Sequence, residues 1–269
     1  MRELPLRHAV ALGLLHGPTE LLPISSSGHT TLVPWLAGWP YGEIAAESRK
    51  SFEVALHAGT AAALLLDPPA ASLDFKASFL GPALFPPVLV GYALGERIER
   101  RLGTPGTIAL GLLAGSVAMI VGEIGGRDSS PARRPDFRDG LGLGFAQALA
   151  LIPGVSRSGA TLAVARARGF SRTDADRLSW NVGLPVIAGA TMLKGSRLAR
   201  EMRSARGRPD AHVEPSPALM AGAAGAFFST LLSSRALSAR RRARLIPLCV
   251  AYRGALAAVV IRRMRDNTS

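Results

Sequence analysis

The sequence predicts an all-α, polytopic membrane protein built from two repeats, with a re-entrant helix-loop-helix segment in each repeat. Two observations carry this expectation. Residues 77–95, 102–122 and 215–234 contain no charged side chain, and each run approaches the ~20 residues that cross ~30 Å of hydrocarbon as a helix. The second pattern is internal: residues 23–30 read PISSSGHT and residues 153–161 read PGVSRSGAT. At an offset of 131 residues Ser25 meets Ser156, Ser27 meets Ser158, Gly28 meets Gly159 and Thr30 meets Thr161.

The remaining apolar runs cover residues 9–15, 21–42, 54–66, 140–156, 178–193 and 245–261, the last broken by Arg253. Several are too short or too rich in Gly and Pro to span directly. Each Ser/Gly loop also follows a short apolar stretch, ending at Leu22 in one case and at Ile152 in the other. Interrupted hydrophobic segments at corresponding places mark membrane proteins built from repeats around a central site. Non-helical backbone at that depth survives only when buried in protein or lining a wet cavity. The expected organisation is one integral membrane domain over residues 1–269, with repeat halves of roughly 1–125 and 139–269.

A net charge of +13 and a sequence pI near 11.3 raise nucleic acid as a partner, but the arginines argue against it. They cluster at 97–101, 197–208, 235–244 and 262–265, between apolar runs, which is the pattern that membrane insertion produces. They also lack interleaved aromatics, which make up 6% of the chain. The clusters do not agree on one orientation, because 235–244 falls opposite both of its neighbours. Cys249 is the single cysteine, which excludes an intrachain disulfide and a cysteine metal cluster. The N-terminal residues lack the basic stretch, apolar core and small-residue cleavage site of a removed signal peptide.

Glu20 is the single acidic residue between Glu3 and Glu43, and an ionisable group at membrane depth reads first as functional. The alternative is a carboxylate at a helix end near the interface. Arg157 is its natural partner: a guanidinium offers a planar fork that fits phosphate oxygens and stays charged when desolvated. Ser156, Ser158 and Thr161 add hydroxyls beside it, and Gly154 and Gly159 admit backbone amides to an anion. A helix beginning after the loop would favour the same negative charge. In the first loop Ser26 and His29 are three residues apart, a spacing that places a hydroxyl nucleophile and an imidazole base on one helical face. Against this stand plainer readings, close packing for the small residues and an interfacial role for Arg157.

The segments GPTELLPISSSGH, SFEVALHAGT and ALIPGVSRSGAT closely resemble the bacterial undecaprenyl-diphosphatase family, also called bacitracin-resistance proteins. The resemblance runs in order from about Ala9 to about Leu193. It implies inverted repeats with two re-entrant helix pairs, and hydrolysis of a polyprenyl diphosphate to the monophosphate plus phosphate, recycling the lipid carrier of cell-wall synthesis. It further implies a multi-pass enzyme of the plasma (inner) membrane, with a homodimer left open. By motif position Glu20, Ser26, His29 and Arg157 are the expected catalytic residues. Ser25, Ser27, Ser156, Arg157, Ser158 and Thr161 are the expected substrate-binding residues. The resemblance also implies a divalent cation, Mg2+ or Ca2+, with Glu20 as its ligand. One departure stands out, for His16 occupies a position where the family usually has Glu or Gln. The rival reading is a transporter or flippase for a lipid-linked phosphate, since inverted repeats with half-helices at the midplane are also a transporter architecture.

Overall fold

The computed structural model describes residues 4–68, 76–126, 134–205 and 216–267, and among them it contains ten α-helices, one 3-10 turn and no strand. The helices run as two series of five. The first holds α1 (Leu6–Leu21), α2 (Ser26–Leu36), α3 (Ala46–Leu66), α4 (Ala77–Leu102) and α5 (Pro105–Gly125), with the 3-10 turn Pro40–Glu43 between α2 and α3. The second holds α6 (Phe137–Leu149), α7 (Arg157–Ala167), α8 (Arg172–Ala205), α9 (Pro217–Ala236) and α10 (Ala239–Asp266). Each series opens with two short helices and continues with three long ones.

Local chemistry sets these boundaries. Leu22 is extended (φ −94°, ψ 150°) and ends α1, because the ring of Pro23 disfavours the helical region for the residue before it. The starts of α5 and α6 carry reciprocal caps, Thr104 with Thr107 and Asp136 with Asp139, which satisfy backbone donors that a helix start leaves over. Ser216 and Ser238 cap α9 and α10, accepting from the amides of Leu219 and Arg241.

The two series are interlocked rather than side by side. α1 packs along α9, and its counterpart α6 packs along α4; α5 meets both α7 and α10, while α3 meets α8 and α9. Small residues make the α1–α9 contact close: Gly13 and Gly17 lie against Gly222, Gly225 and Ala226 or Ser229 and Thr230. There Ser229 Oγ donates to Gly13 O at 3.0 Å and accepts from Gly17 N at 3.2 Å, which is how membrane helices join without a hydrophobic drive between them. The α4–α6 contact answers a different need. Pro87 has no amide to give to the carbonyl of Ala83 one turn earlier, and Gln147 Nε2 of α6 donates to that carbonyl instead, at 3.0 Å.

Four helical stretches are long and apolar enough to cross a membrane: Ala77–Leu102, Pro105–Gly125, Pro217–Ala236 and Arg244–Asp266. The first three take up most of the uncharged runs. The fourth contains Arg253, whose side chain is wholly buried, so a charge in its sequence leaves its outer face apolar. Phe85, Val88, Leu89, Val117, Val121, Phe228, Leu232, Leu248 and Val259 stand exposed on these four helices, a surface suited to lipid and not to water. The protein is a multi-pass membrane protein. Extraction of membranes with alkaline carbonate is accordingly expected to leave it in the pellet, and recovery in the supernatant would contradict the assignment.

Candidate active site

The two Ser/Gly loops adopt one conformation. Ser25 (φ 76°) and Ser156 (φ 71°) are the non-glycine residues with positive φ among the described residues, a strained backbone that costs about 1–3 kcal/mol each and persists only where the surroundings impose it. Each is the N-cap of the helix that follows. Ser25 Oγ accepts from Gly28 N at 3.3 Å and Ser156 Oγ from Gly159 N at 3.3 Å. Their hydroxyls also sit 3.5 Å from Ser27 Oγ and 3.3 Å from Ser158 Oγ respectively. The repeat read from the letters is therefore present in the backbone torsions and the caps.

Both loops open into one cleft of about 210 Å³. Its polar side comprises Glu20, Ser25, Ser26, Ser27, Ser156, Arg157 and Ser158, together with Thr19, His57, Thr191 and Lys194. Its apolar side is Val54, Ala150, Leu151, Val186, Ile187 and Ala190. Ser26 and Ser27 begin α2, and Arg157 and Ser158 begin α7, so two helix N-termini meet at the polar side, each favouring an anion.

At the centre, Ser26 Oγ donates to Glu20 Oε2 at 2.6 Å, and Arg157 Nη2 lies 3.5 Å from Glu20 Oε1. The guanidinium is held from behind. Nη1 donates to Ser179 O at 3.2 Å, and the group lies 5.1 Å from the ring centre of Trp180. Gly183 provides the room, since a Cβ at that position would collide with Nη1. Thr161, expected on the cleft wall, is wholly buried behind it. Its Oγ1 bonds Ser179 Oγ at 2.6 Å and donates to Arg157 O at 2.9 Å, so it holds the arginine's own backbone.

A family model described as bacitracin resistance protein BacA matches residues 9–67 and 71–259. The chain belongs to this family. Similar relatives include the undecaprenyl-diphosphatase of Geobacter metallireducens, 37% identical over 227 residues that cover 77% of this chain and 80% of the relative. That of Geobacter sulfurreducens is 39% identical over 212 residues, covering 72% and 77%. That of Geotalea daltonii is 33% identical over 279 residues, covering 94% and 97%.

In this member of the BacA family the expected Ser26–His29 pair does not form. His29 is buried, with Nδ1 2.7 Å from Ser25 O and Nε2 2.7 Å from Tyr252 Oη. Both ring nitrogens are thus engaged away from the cleft, and the partner of Ser26 is Glu20. Of the two glycine amides expected at the anion, that of Gly159 is occupied. Gly159 N donates to Ser156 Oγ, and Gly154 packs against α5.

Sequence reasoning missed two groups. Arg253 of α10 reaches both loops, donating to Pro23 O at 2.9 Å and to Gly154 O and Val155 O at 3.0 Å each, and also to Leu112 O and Ser116 Oγ of α5. Its one sequence signal was a charge inside an apolar run. The other group is His16 and His57, whose rings meet edge to face beside Glu20. His57 lay within the motif SFEVALHAGT, and His16 was noted as a departure. The family-implied Mg2+ or Ca2+ would look for oxygen ligands. Here the protein supplies one carboxylate and two imidazoles, which do not make a magnesium or calcium cage.

Proposed function

We propose that this protein hydrolyses a polyprenyl diphosphate to the monophosphate and phosphate; the relatives reported above carry the name undecaprenyl-diphosphatase. The hydrolysis returns the lipid carrier of cell-wall synthesis to its monophosphate form. The observation that carries the reading is the contact of Ser26 with Glu20 at 2.6 Å, directly beside Arg157 in a cleft that apolar residues also line. Bare anion binding would need the arginine and the helix N-termini. It would not need a hydroxyl hydrogen-bonded to a carboxylate.

The diphosphate enters between the starts of α2 and α7, and the lipid tail leaves along Val54, Val186, Ile187 and Ala190. Ser26 Oγ attacks the outer phosphorus and passes its proton to Glu20 Oε2, as the bond from that phosphorus to the bridging oxygen breaks. The lipid monophosphate leaves, and water then hydrolyses the phosphoserine. Arg157 balances charge on the phosphate oxygens, the kind of preorganised electrostatic help that dominates phosphoryl transfer. His29 holds Ser25 and Tyr252 and so keeps the strained turn in place. Arg157 alone does not neutralise a diphosphate, and a divalent cation held at Glu20 would offset charge that remains. The site belongs to a protein of the bacterial plasma membrane, in which two re-entrant helix pairs from repeats of opposite orientation meet.

Purified protein in detergent, where no gradient exists, is expected to release phosphate from a long-chain isoprenyl diphosphate and to stop after exhaustive chelation with EDTA. Binding of the lipid without phosphate release in any divalent ion would leave a carrier as the better reading. Undiminished turnover after chelation would remove the cation from it.

A further inference from the structure

We propose that His16, His57 and Glu20 form a binding site for an imidazole-preferring divalent ion of the zinc class, a selectivity different from the hard oxygen-liganded ions that the family resemblance implies. The inference deepens the hydrolase reading, because Glu20 and His57 line the same cleft, but it stands on its own geometry. One ring nitrogen from each histidine and a carboxylate oxygen of Glu20 lie within 4.8 Å of one another. His16 and Glu20 are one turn apart on α1 and share a face; His57 comes from α3.

The two rings are set for this purpose by their other nitrogens. His57 Nδ1 donates to Glu53 O at 2.7 Å, which leaves the lone pair on Nε2. His16 Nδ1 lies 3.0 Å from Thr60 Oγ1, which is itself 3.1 Å from Thr230 Oγ1. A chain of three side chains from α1, α3 and α9 thus fixes the ring. His16 is wholly buried, and its Nε2 has no hydrogen-bond partner. A buried ring nitrogen without a partner needs an explanation, and a ligated cation beside it supplies one. Orientation of each imidazole through its second nitrogen is the usual support for a metal-binding histidine.

The donor set selects the ion. Two imidazoles and a carboxylate suit zinc and its neighbours, whereas magnesium and calcium prefer oxygen alone. Three protein ligands are also the number found in catalytic zinc sites, which keep a position open for water or substrate. Ligand atoms around a tetrahedral zinc are about 3.4 Å apart for bonds of ~2.0–2.1 Å.

The test uses tag-free, metal-stripped full-length protein in detergent. Equilibrium dialysis against Zn2+ is expected to load one ion per chain and to retain it in excess Mg2+. His16→Gln and His57→Gln, separately, are expected to weaken binding by more than ~100-fold, since loss of an outer-shell partner alone costs ~10–100-fold. The parent protein loaded with Cu2+ is expected to show magnetic coupling to two imidazole nitrogens, a readout that needs no variant to fold. Zinc binding no tighter than magnesium, binding untouched by both substitutions, or a copper signal without nitrogen coupling would each overturn the site. The two readings fail separately. Phosphate release sustained by Mg2+ in protein that binds no zinc overturns the site and leaves the hydrolase, and bound zinc with no phosphate release in any ion does the reverse.

Discussion

Arg157→Lys is expected to lower kcat/KM for phosphate release by ~10²–10³-fold, about 2.7–4 kcal/mol, the range for loss of one well-placed electrostatic donor. The charge is conserved, so the loss isolates geometry. The guanidinium of Arg157 spends Nη1 on Ser179 O and directs Nη2 toward Glu20 Oε1, a division of labour that a planar fork performs and a single ammonium does not. An ammonium would also lose the stacking over Trp180. Gly183→Ala tests the same point from the other side, because its added Cβ falls on Nη1; it is expected to lower kcat/KM with Arg157 intact. Arg134→Lys, at an exposed loop position, is the comparison and is expected to stay near the parent rate. Arg206, in the basic cluster 197–208, lies outside the described residues. Near-parent turnover by Arg157→Lys together with failure of Arg134→Lys would remove the second loop from phosphate binding.

Arg253→Met is expected to be the most destabilising single change on α10. The side chain is wholly buried and its donors are spent on the oxygens of Pro23, Gly111, Leu112, Gly154, Val155 and Ser116. The carbonyls of Pro23, Gly154 and Val155 belong to loops, and a buried acceptor left unpaired costs about 1–3 kcal/mol. A loss of roughly 3 kcal/mol or more follows, which at ~2–4 °C per kcal/mol lowers the thermal midpoint by roughly 6–12 °C. Arg244→Met, on the same helix but exposed, is expected to change it little. The measurement is thermal unfolding in detergent with lipid, read beside phosphate release. Equal midpoints for the two variants would show that the loops hold their shape without Arg253.

What was legible in the sequence follows from how far each signal reaches. The paired loops were visible because the turn is local: Pro23, Pro153 and the serines that cap α2 and α7 act on residues close to them. Glu20 and Arg157 stood out because charges are rare near those loops, and the structure brings them to one cleft. His29 was different. Its spacing from Ser26 suits a shared face, but the carbonyl of Ser25 and the hydroxyl of Tyr252, 223 residues away, hold the ring. Arg253 was hidden for the same reason. A charge in an apolar run interrupts a hydropathy profile whether it faces lipid or the core, and which way it faces depends on chain 98 to 230 residues earlier. Thr161 sits in the right motif but one layer behind the surface, a distinction that spacing does not make.

The crossed pairing of α1 with α9 and of α6 with α4 has a consequence for biosynthesis. A chain leaves the ribosome from its N-terminus, so α1 is made first, yet its main support begins at Pro217. The proline-interrupted turn of α4 waits as well, with the carbonyl of Ala83 unanswered until Gln147 is synthesised. Neither series of helices is self-sufficient on these terms. The first must remain in the bilayer with its loop and its carboxylate uncommitted while the second is inserted, and the cleft is fully lined only when α7 and α8 have joined the first series.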